Sequence, residues 1–448
     1  MSAILLFAYP VLAILFCLFI TSRRRMDLLI VLHALLHSGL GIHAFVNRGS
    51  LLSMDDLGLF IYLILSVLYS AIAFYRLGSQ DSSAIKDYRI HTMFLMIFVM
   101  AMDGATIAKD LGLIWIFVEA TTISSAMLIS YSNRKSSLEA AWKYLFICSV
   151  GIALAFAGIL LLVIAQAGEA TLLISRIDVS KLSPFWLKIS FVFILIGFGT
   201  KIGLAPLHFW LPDAHSEAPA PISALLSGAL LNIALIPILR VDKLMQQSGM
   251  AALAKELYLL MGFISVFIAA VFVLKTKDYK RLLAYSSVEN MGLIMIAFGA
   301  GGMAHYAAYL HILGHSLIKA AFFLTAGNAL LIYQDKNHEN IRGMLSTNKT
   351  SAWLWLLSSV MIIGLPPSPL FTSKFLIATA LLSNGSYLLF GLLMLLLAII
   401  SWGIIRIGLS MCLGESERKK SLSMWVYLAP AGLLLIAAMI GIFLPILD

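Results

Sequence analysis

The residues of this chain that could do chemistry are ionisable side chains set inside apolar runs. Lys201 lies in FVFILIGFGTKIGLAPLHFW (191–210), and Glu119 stands alone among apolar residues in LIWIFVEATTISSAM (113–127). An ionisable group in a bilayer costs roughly 2.5–3.5 kcal/mol on insertion scales, so it is kept for a reason. Desolvation favours the neutral form of an isolated carboxylate, and a nearby lysine restores its charge. The expectation is therefore that Glu119 pairs with Lys201, and that making or breaking the pair changes how tightly the lysine holds its proton. His311, His315 and Lys319 recur at i, i+4 and i+8, on one helix face. Such a stripe suits a proton wire, since neutral imidazole both donates and accepts. Core packing and a haem or metal pair are the other readings. Two histidines one turn apart rarely ligate one haem from both sides, and no third ligand follows at zinc spacing. His33 and His37 share the spacing without a lysine and read as structural.

Lys143, Lys374, Arg406, Glu289 and Asp103 also fall within apolar runs. Buried groups of both signs spread over many helices suit a chain of proton-trading groups better than a pocket for one solute.

Two proline-bearing interruptions accompany them. After Lys201, Pro206 removes a backbone donor and breaks the helix, and Gly197, Gly199 and Gly203 loosen the same region. His208, Asp213, His215 and Glu217 follow. They read either as a proton entrance or as a capped helix start, since Asp213 and Ser216 suit helix N-termini. The second break holds Pro366, Pro367 and Pro369, with Lys374 after it. Backbone freed by a broken helix must face protein or water, a pattern typical of ion and substrate paths. Lys280 and Arg281, with Asp278, read as a membrane edge.

The surrounding elements must be membrane helices. The chain has 448 residues, 61% apolar and 12% charged, against about 45–50% and about 25% in soluble domains. Its mean hydropathy is +0.97. Apolar runs of about 20 residues divide it into about fourteen spans, all-α and polytopic, with no room for a separate soluble domain. The first run, Ile4–Thr21, lacks a basic flank and a cleavage site and reads as a retained helix. Cys17, Cys148 and Cys412 are far apart and read as buried hydrophobes. No phosphate-binding loop, dinucleotide fingerprint or nucleophile elbow is present. The net charge of +9 reflects basic loops, not a nucleic-acid partner. Loops after odd-numbered helices hold most of the Lys and Arg, including Arg23, Arg24 and Arg25. That places those loops in the cytoplasm and both termini on the outer side of the membrane.

The chain also looks internally repeated. IGLAPLHFW near Ile202 resembles IIGLPPSPLF near Ile362, and AAWKYLFICSVG from Ala140 resembles AAYLHILGHSLIKAAFF from Ala307. The expected organisation is one transmembrane domain over 1–448. It has N-terminal helices in 1–89, a first repeat in 90–240, a second in 257–411 and a last helix at 426–446. Five helices per repeat, an odd number, would give the two copies inverted topology.

LPDAHSEAPAP (211–221), preceded by KIGLAPLHFW and followed by SGALLN, resembles the signature of the antiporter-like membrane subunits of respiratory complex I, Mrp-type sodium/proton antiporters and membrane-bound hydrogenases. DYKRLLAYSSVENMG (278–292) and HILGHSLIKAAFF (311–323) are similar to further signatures of that family. HSEAPAP, SSVENMG and NHENIRGM are most similar to the hydrogenase-4 component F branch. The resemblance covers about residues 90–410 and implies fourteen core helices with two inverted five-helix repeats. It implies that Glu119 is the family's fifth-helix glutamate and Lys201 its seventh-helix lysine. His311, His315 and Lys319 match the eleventh-helix stripe, and Lys374 the terminal twelfth-helix position. Asn232 stands where many members carry an eighth-helix lysine, and Asn290 where a tenth-helix histidine is common, so His208 or water would bridge the middle.

The function so implied is that of a non-catalytic, proton- or sodium-translocating subunit in a redox-driven complex of the hydrogenase-4, formate hydrogenlyase or complex I type. It would sit in the cell's cytoplasmic membrane beside other membrane subunits and a peripheral redox arm. It would have no cofactor or metal of its own. A sodium/proton antiporter subunit, an inorganic-carbon uptake subunit and a haem-bearing membrane oxidoreductase are the alternatives.

Overall fold

The computed structural model describes residues 2–47, 54–79, 83–166, 168, 170–416 and 419–443, with only the backbone for residues 2–5. The end of the expected last helix, 444–446, lies outside the described residues. The helices in chain order are α1 (Ser2–Cys17), α2 (Arg23–Val46), α3 (Asp56–Arg76), α4 (Ile85–Ile107), α5 (Leu111–Ile129), α6 (Lys135–Ala165) and α7 (Pro184–Ile202). There follow α8 (Trp210–Glu217), α9 (Ala220–Leu225), α10 (Leu231–Gln247), α11 (Ala251–Lys275), α12 (Tyr279–Ala300) and α13 (Met303–Tyr333). The rest are α14 (Met344–Thr347), α15 (Lys349–Ile363), α16 (Pro369–Ser383), α17 (Tyr387–Cys412) and α18 (Trp425–Phe443). Among the described residues there is no strand. Twelve helices there are long and apolar enough to cross a membrane, with Ala220–Gln247 counted as one. Shorter apolar helices lie at Leu6–Cys17, Lys349–Ile363 and Pro369–Ser383. The protein is an all-α, multi-pass membrane protein.

The chain forms two compact units, one of residues 1–73, 81–203 and 229–256, the other of residues 74–80, 204–228 and 257–448. In the first, α6 lies along α7 while α4 packs on α5 and α7 on α10. The α6–α7 contact is close because glycines line it. A Cβ on Gly197 would stand 2.4 Å from the Ala155 backbone nitrogen. Small residues let helix backbones approach where lipid supplies no hydrophobic drive. In the second unit α13 is central, touching α9, α12, α15, α16 and α18.

Both expected breaks exist. α7 stops at Gly203, φ 81°, and α15 at Gly364, φ 90°. These are left-handed caps that glycine adopts without strain. The Ala205–Pro206 and Pro366–Pro367 bonds are cis. Beyond the first break the freed Ala205 amide donates to Ser265 Oγ at 2.9 Å. Beyond the second, α16 restarts with Ser368 as its cap, its hydroxyl accepting from the Leu370 amide at 3.2 Å, and with Pro369 in its first turn. Within Ala220–Gln247 a π-helical turn occupies Leu226–Leu230, a feature frequent near functional sites.

Two of the basic residues expected inside the membrane are not buried. Lys143, two turns into α6, is 48% exposed and pairs with Glu139 one turn earlier at 2.7 Å. Arg406 on α17 is exposed as well. Apolar neighbours in sequence placed them in the run, but helical rotation turned them outward.

Candidate functional site

In the first unit α5, α6 and α7 converge on Lys201, which is fully buried. Its ammonium donates to Thr122 Oγ1 at 2.6 Å and to the Tyr144 hydroxyl at 2.7 Å. Thr122 Oγ1 in turn donates to Glu119 Oε2 at 3.1 Å. Ser149 donates to the other carboxylate oxygen at 2.9 Å. Among the described residues Glu119 and Lys201 make no direct ion pair. They are joined through one hydroxyl, where a direct pair was expected. The reason is helical spacing: Thr122 sits one turn after Glu119 and occupies the space between carboxylate and ammonium. A threonine hydroxyl accepts and donates at once. The Lys201 proton can therefore pass to Thr122 as the threonine's own proton passes to Glu119. That step leaves a neutral amine and a neutral acid. Tyr144 is held for its contact by Ser125, 2.7 Å from its hydroxyl.

In the second unit His311, His315 and Lys319 share the buried face of α13. Lys319 donates to Ser286 Oγ at 2.6 Å and to the Leu283 carbonyl, both on α12. His311 Nε2 meets Asn290 Oδ1 at 3.0 Å. The Asn290 amide nitrogen donates to the Ser286 carbonyl and to Glu289. These contacts fix Oδ1 as the group facing the ring, so Nε2 carries a proton. His311 Nδ1 lies 2.9 Å from Ser373 Oγ, and that hydroxyl has a second acceptor in the Leu370 carbonyl at 3.2 Å. By turning its hydrogen, Ser373 satisfies both the neutral and the protonated ring. Asn290 positions His311 and passes no proton itself. Lys374 closes the set. It pairs with Glu289 at 3.0 Å and donates to the Ile363 carbonyl at 3.0 Å, one of the carbonyls freed by the second break.

His315 and His215 are fully buried, and among the described residues none of their four ring nitrogens has a hydrogen-bond partner in the protein. The His215 ring stacks on Phe323 at 4.7 Å. His208, 2% exposed, lies in the segment between α7 and α8. Asn232 is fully buried on α10 in the first unit.

Asp213, His215 and Glu217 all lie on α8. The α8 N-terminus has no side-chain cap. Asp213 pairs with Arg281, Glu217 with Lys336 at 2.9 Å, and Ser216 donates to Asp278 at 2.5 Å. Lys280 lies in the first turn of α12, whose cap is Asp278. The lysine is 1% exposed and donates to the Ala218 carbonyl at 2.5 Å and the Ser216 carbonyl at 3.1 Å, where the end of α8 attracts a cation.

Sequence reasoning missed Thr122, Tyr144, Ser149, Ser286 and Ser373, and left Glu289 without a partner. Thr122 was detectable from its position one turn from Glu119. The contacts of the others cross between helices and leave no local pattern.

The family described as NADH:quinone oxidoreductase/Mrp antiporter, TM, matches residues 108–401. The hydrogenase-4 component F homolog of Methylacidiphilum infernorum (isolate V4) is 34% identical over 408 residues, 87% of this chain and 85% of that protein. Hydrogenase-4 component B of Escherichia coli (strain K12) is 30% identical over 336 residues, 72% of this chain and 50% of that larger protein. A chain of the membrane-bound sulfane sulfur reductase, an archaeal respiratory membrane complex, superposes with a TM-score of 0.88 over 99% of this chain and 94% of its own. At 21% identity that likeness speaks for the fold alone. Matched over most of its length by one relative and over the whole central helical region by the family pattern, this chain belongs to the NADH:quinone oxidoreductase/Mrp antiporter family.

Proposed function

We propose that this protein is a proton-translocating membrane subunit of a redox-driven assembly of the hydrogenase-4 type. It works beside other membrane subunits and a peripheral redox arm, in the cytoplasmic membrane with both termini on the outer side. The observation that carries this reading is the Lys201–Thr122–Glu119 relay, a buried lysine joined to a carboxylate through a group that conducts protons. The second unit repeats the logic with Lys319, the two-state His311–Ser373 contact and the Lys374–Glu289 pair. His215 and His315, with ring nitrogens left for water, continue the path, and the ion pairs of Asp213 and Glu217 lie at its mouth. Partners of this kind, hydroxyls and imidazoles, favour protons over sodium as the ion moved. Both His311 nitrogens are engaged by Asn290 and Ser373, which supports a proton wire over a haem ligand and a chain with no cofactor of its own. Driving one charge against 100 mV takes about 2.3 kcal/mol. That is within reach of making and breaking one such pairing.

The test is proton uptake by inside-out vesicles carrying the intact complex, wild type against Lys201→Ala, with substrate turnover followed in parallel. Loss of the pH gradient with assembly intact is expected. An undiminished gradient would assign pumping to another subunit.

A further inference from the structure

Outside the region matched by the family pattern, α1–α4 enclose a second buried set of titratable groups. His37 on α2 and Asp103 on α4 are both fully buried, with Nε2 and Oδ1 2.8 Å apart. The opposite ring nitrogen, Nδ1, lies 2.9 Å from Ser66 Oγ on α3. That hydroxyl has a second acceptor, the Tyr62 carbonyl, also at 2.9 Å. This is the arrangement found at His311, where Ser373 has the Leu370 carbonyl as its alternative. At both places a serine hydrogen can turn toward the ring or away from it, so either protonation state is satisfied. The difference is at Nε2, where His311 faces an amide and His37 faces a carboxylate that can itself take a proton.

The other titratable groups around the dyad are tyrosines and one histidine. Tyr62 stacks on the His37 ring at 4.4 Å, and Tyr69 meets it edge-on at 5.9 Å. One turn back on α2, His33 accepts or donates at the Tyr69 hydroxyl, 3.0 Å away, and Tyr9 of α1 lies over the His33 ring at 4.8 Å. Three atoms of this set have no hydrogen-bond partner among the described residues: Asp103 Oδ2, His33 Nε2 and the Tyr9 hydroxyl. Polar atoms this deeply buried need partners, and internal water is the one that fits.

We propose that His37 and Asp103 form a second proton-binding site, separate from the Lys201 relay, which exchanges one proton with internal water at Asp103 Oδ2. With neutral imidazole and ionised carboxylate the dyad carries one negative charge. One proton from hydronium, added at Oδ2, leaves it neutral and leaves water behind. Release reverses the step. His37 holds the carboxylate in place through Oδ1, and Ser66 holds His37.

The test is infrared difference spectroscopy of the full-length protein in lipid nanodiscs between pH 5 and pH 9, reading the C=O stretch of a protonated carboxyl. A titrating band is expected that is absent in Asp103→Asn and persists in Lys201→Ala. Ser66→Ala, which removes only the hydroxyl, and His37→Leu should each displace its midpoint by about one pH unit or more. These two read the site even where Asp103→Asn fails to fold. No titrating carboxyl, or a band indifferent to all three substitutions, overturns the proposal. A midpoint that follows sodium concentration at fixed pH overturns it in favour of a sodium site. Persistence of the band in Lys201→Ala separates this result from any failure of the Lys201 relay.

Discussion

Glu119 and Lys201 are joined through a single hydroxyl, that of Thr122, which accepts from the lysine at 2.6 Å and donates to the glutamate at 3.1 Å. Thr122→Val keeps the shape and removes the relay. Proton uptake by vesicles should fall at least about tenfold, the effect of roughly 1.4 kcal/mol on a barrier, while Thr122→Ser retains most of it. In a double-mutant cycle on Glu119 and Lys201, the coupling should vanish in the Thr122→Val background. Coupling that survives there would mean the two charges communicate without the hydroxyl.

The Lys374–Glu289 pair predicts a different signature. Glu289 is 1% exposed and Lys374 11%, so removing the carboxylate's charge leaves a largely buried cation with neutral acceptors alone, the Ile362 and Ile363 carbonyls among them. Breaking a buried pair costs about 3–5 kcal/mol, whereas replacing both partners with apolar residues is often neutral. Glu289→Gln should lower the thermal unfolding midpoint of the purified protein, and Glu289→Leu with Lys374→Met should restore much of it. Transport should remain lost in the double variant, which separates the structural role from the proposed ionic one.

Much of this architecture was legible in the sequence, and the reasons are local. Apolar run length gives membrane helices, and Gly203 with Pro206, then Pro366, Pro367 and Pro369, mark the two breaks, because glycine and proline act on their own backbone. Lys201, His311 and Lys319 stood out because charge or imidazole in an apolar run is costly wherever it points. What the sequence hid was partnership. Nothing near Glu289 announces Lys374, 85 residues on, and nothing near His37 announces its partner Asp103, 66 residues away. Rotation was hidden too: Lys143 and Arg406 sit among apolar neighbours yet point outward.

Gly197 tests whether close packing positions the lysine. In Gly197→Ala the new Cβ would stand 2.4 Å from the Ala155 backbone nitrogen, so α6 and α7 must separate. Overpacking of this kind costs about 1–3 kcal/mol. The expected outcome is a lower unfolding midpoint together with reduced proton uptake, since Tyr144 on α6 and Lys201 on α7 would move apart. An unfolding midpoint equal to wild type would show that the helix pair has slack.

The pH dependence of stability has an identifiable source at Asp55, just ahead of α3. Burial opposes its ionisation, but Arg240 outweighs that. The guanidinium donates to Oδ1 at 2.7 Å and to Oδ2 at 3.0 Å, and the Gly58 amide adds a third bond at 2.9 Å. Together they hold the carboxyl below its ordinary value. A carboxyl lowered by folding contributes stability that is fully present above its unfolded value, about 3.9, and is lost as pH falls through the lower folded value. Wild type should therefore be more heat-stable than Asp55→Asn at pH 7, and the advantage should shrink only on acidification below about pH 4. Arg240 is 4% exposed, so the neutral variant leaves a buried guanidinium with weaker acceptors. Unfolding midpoints of both proteins measured from pH 7 down to pH 3 decide it. A gap that stays constant across that range would mean Asp55 acts through packing and not through its charge.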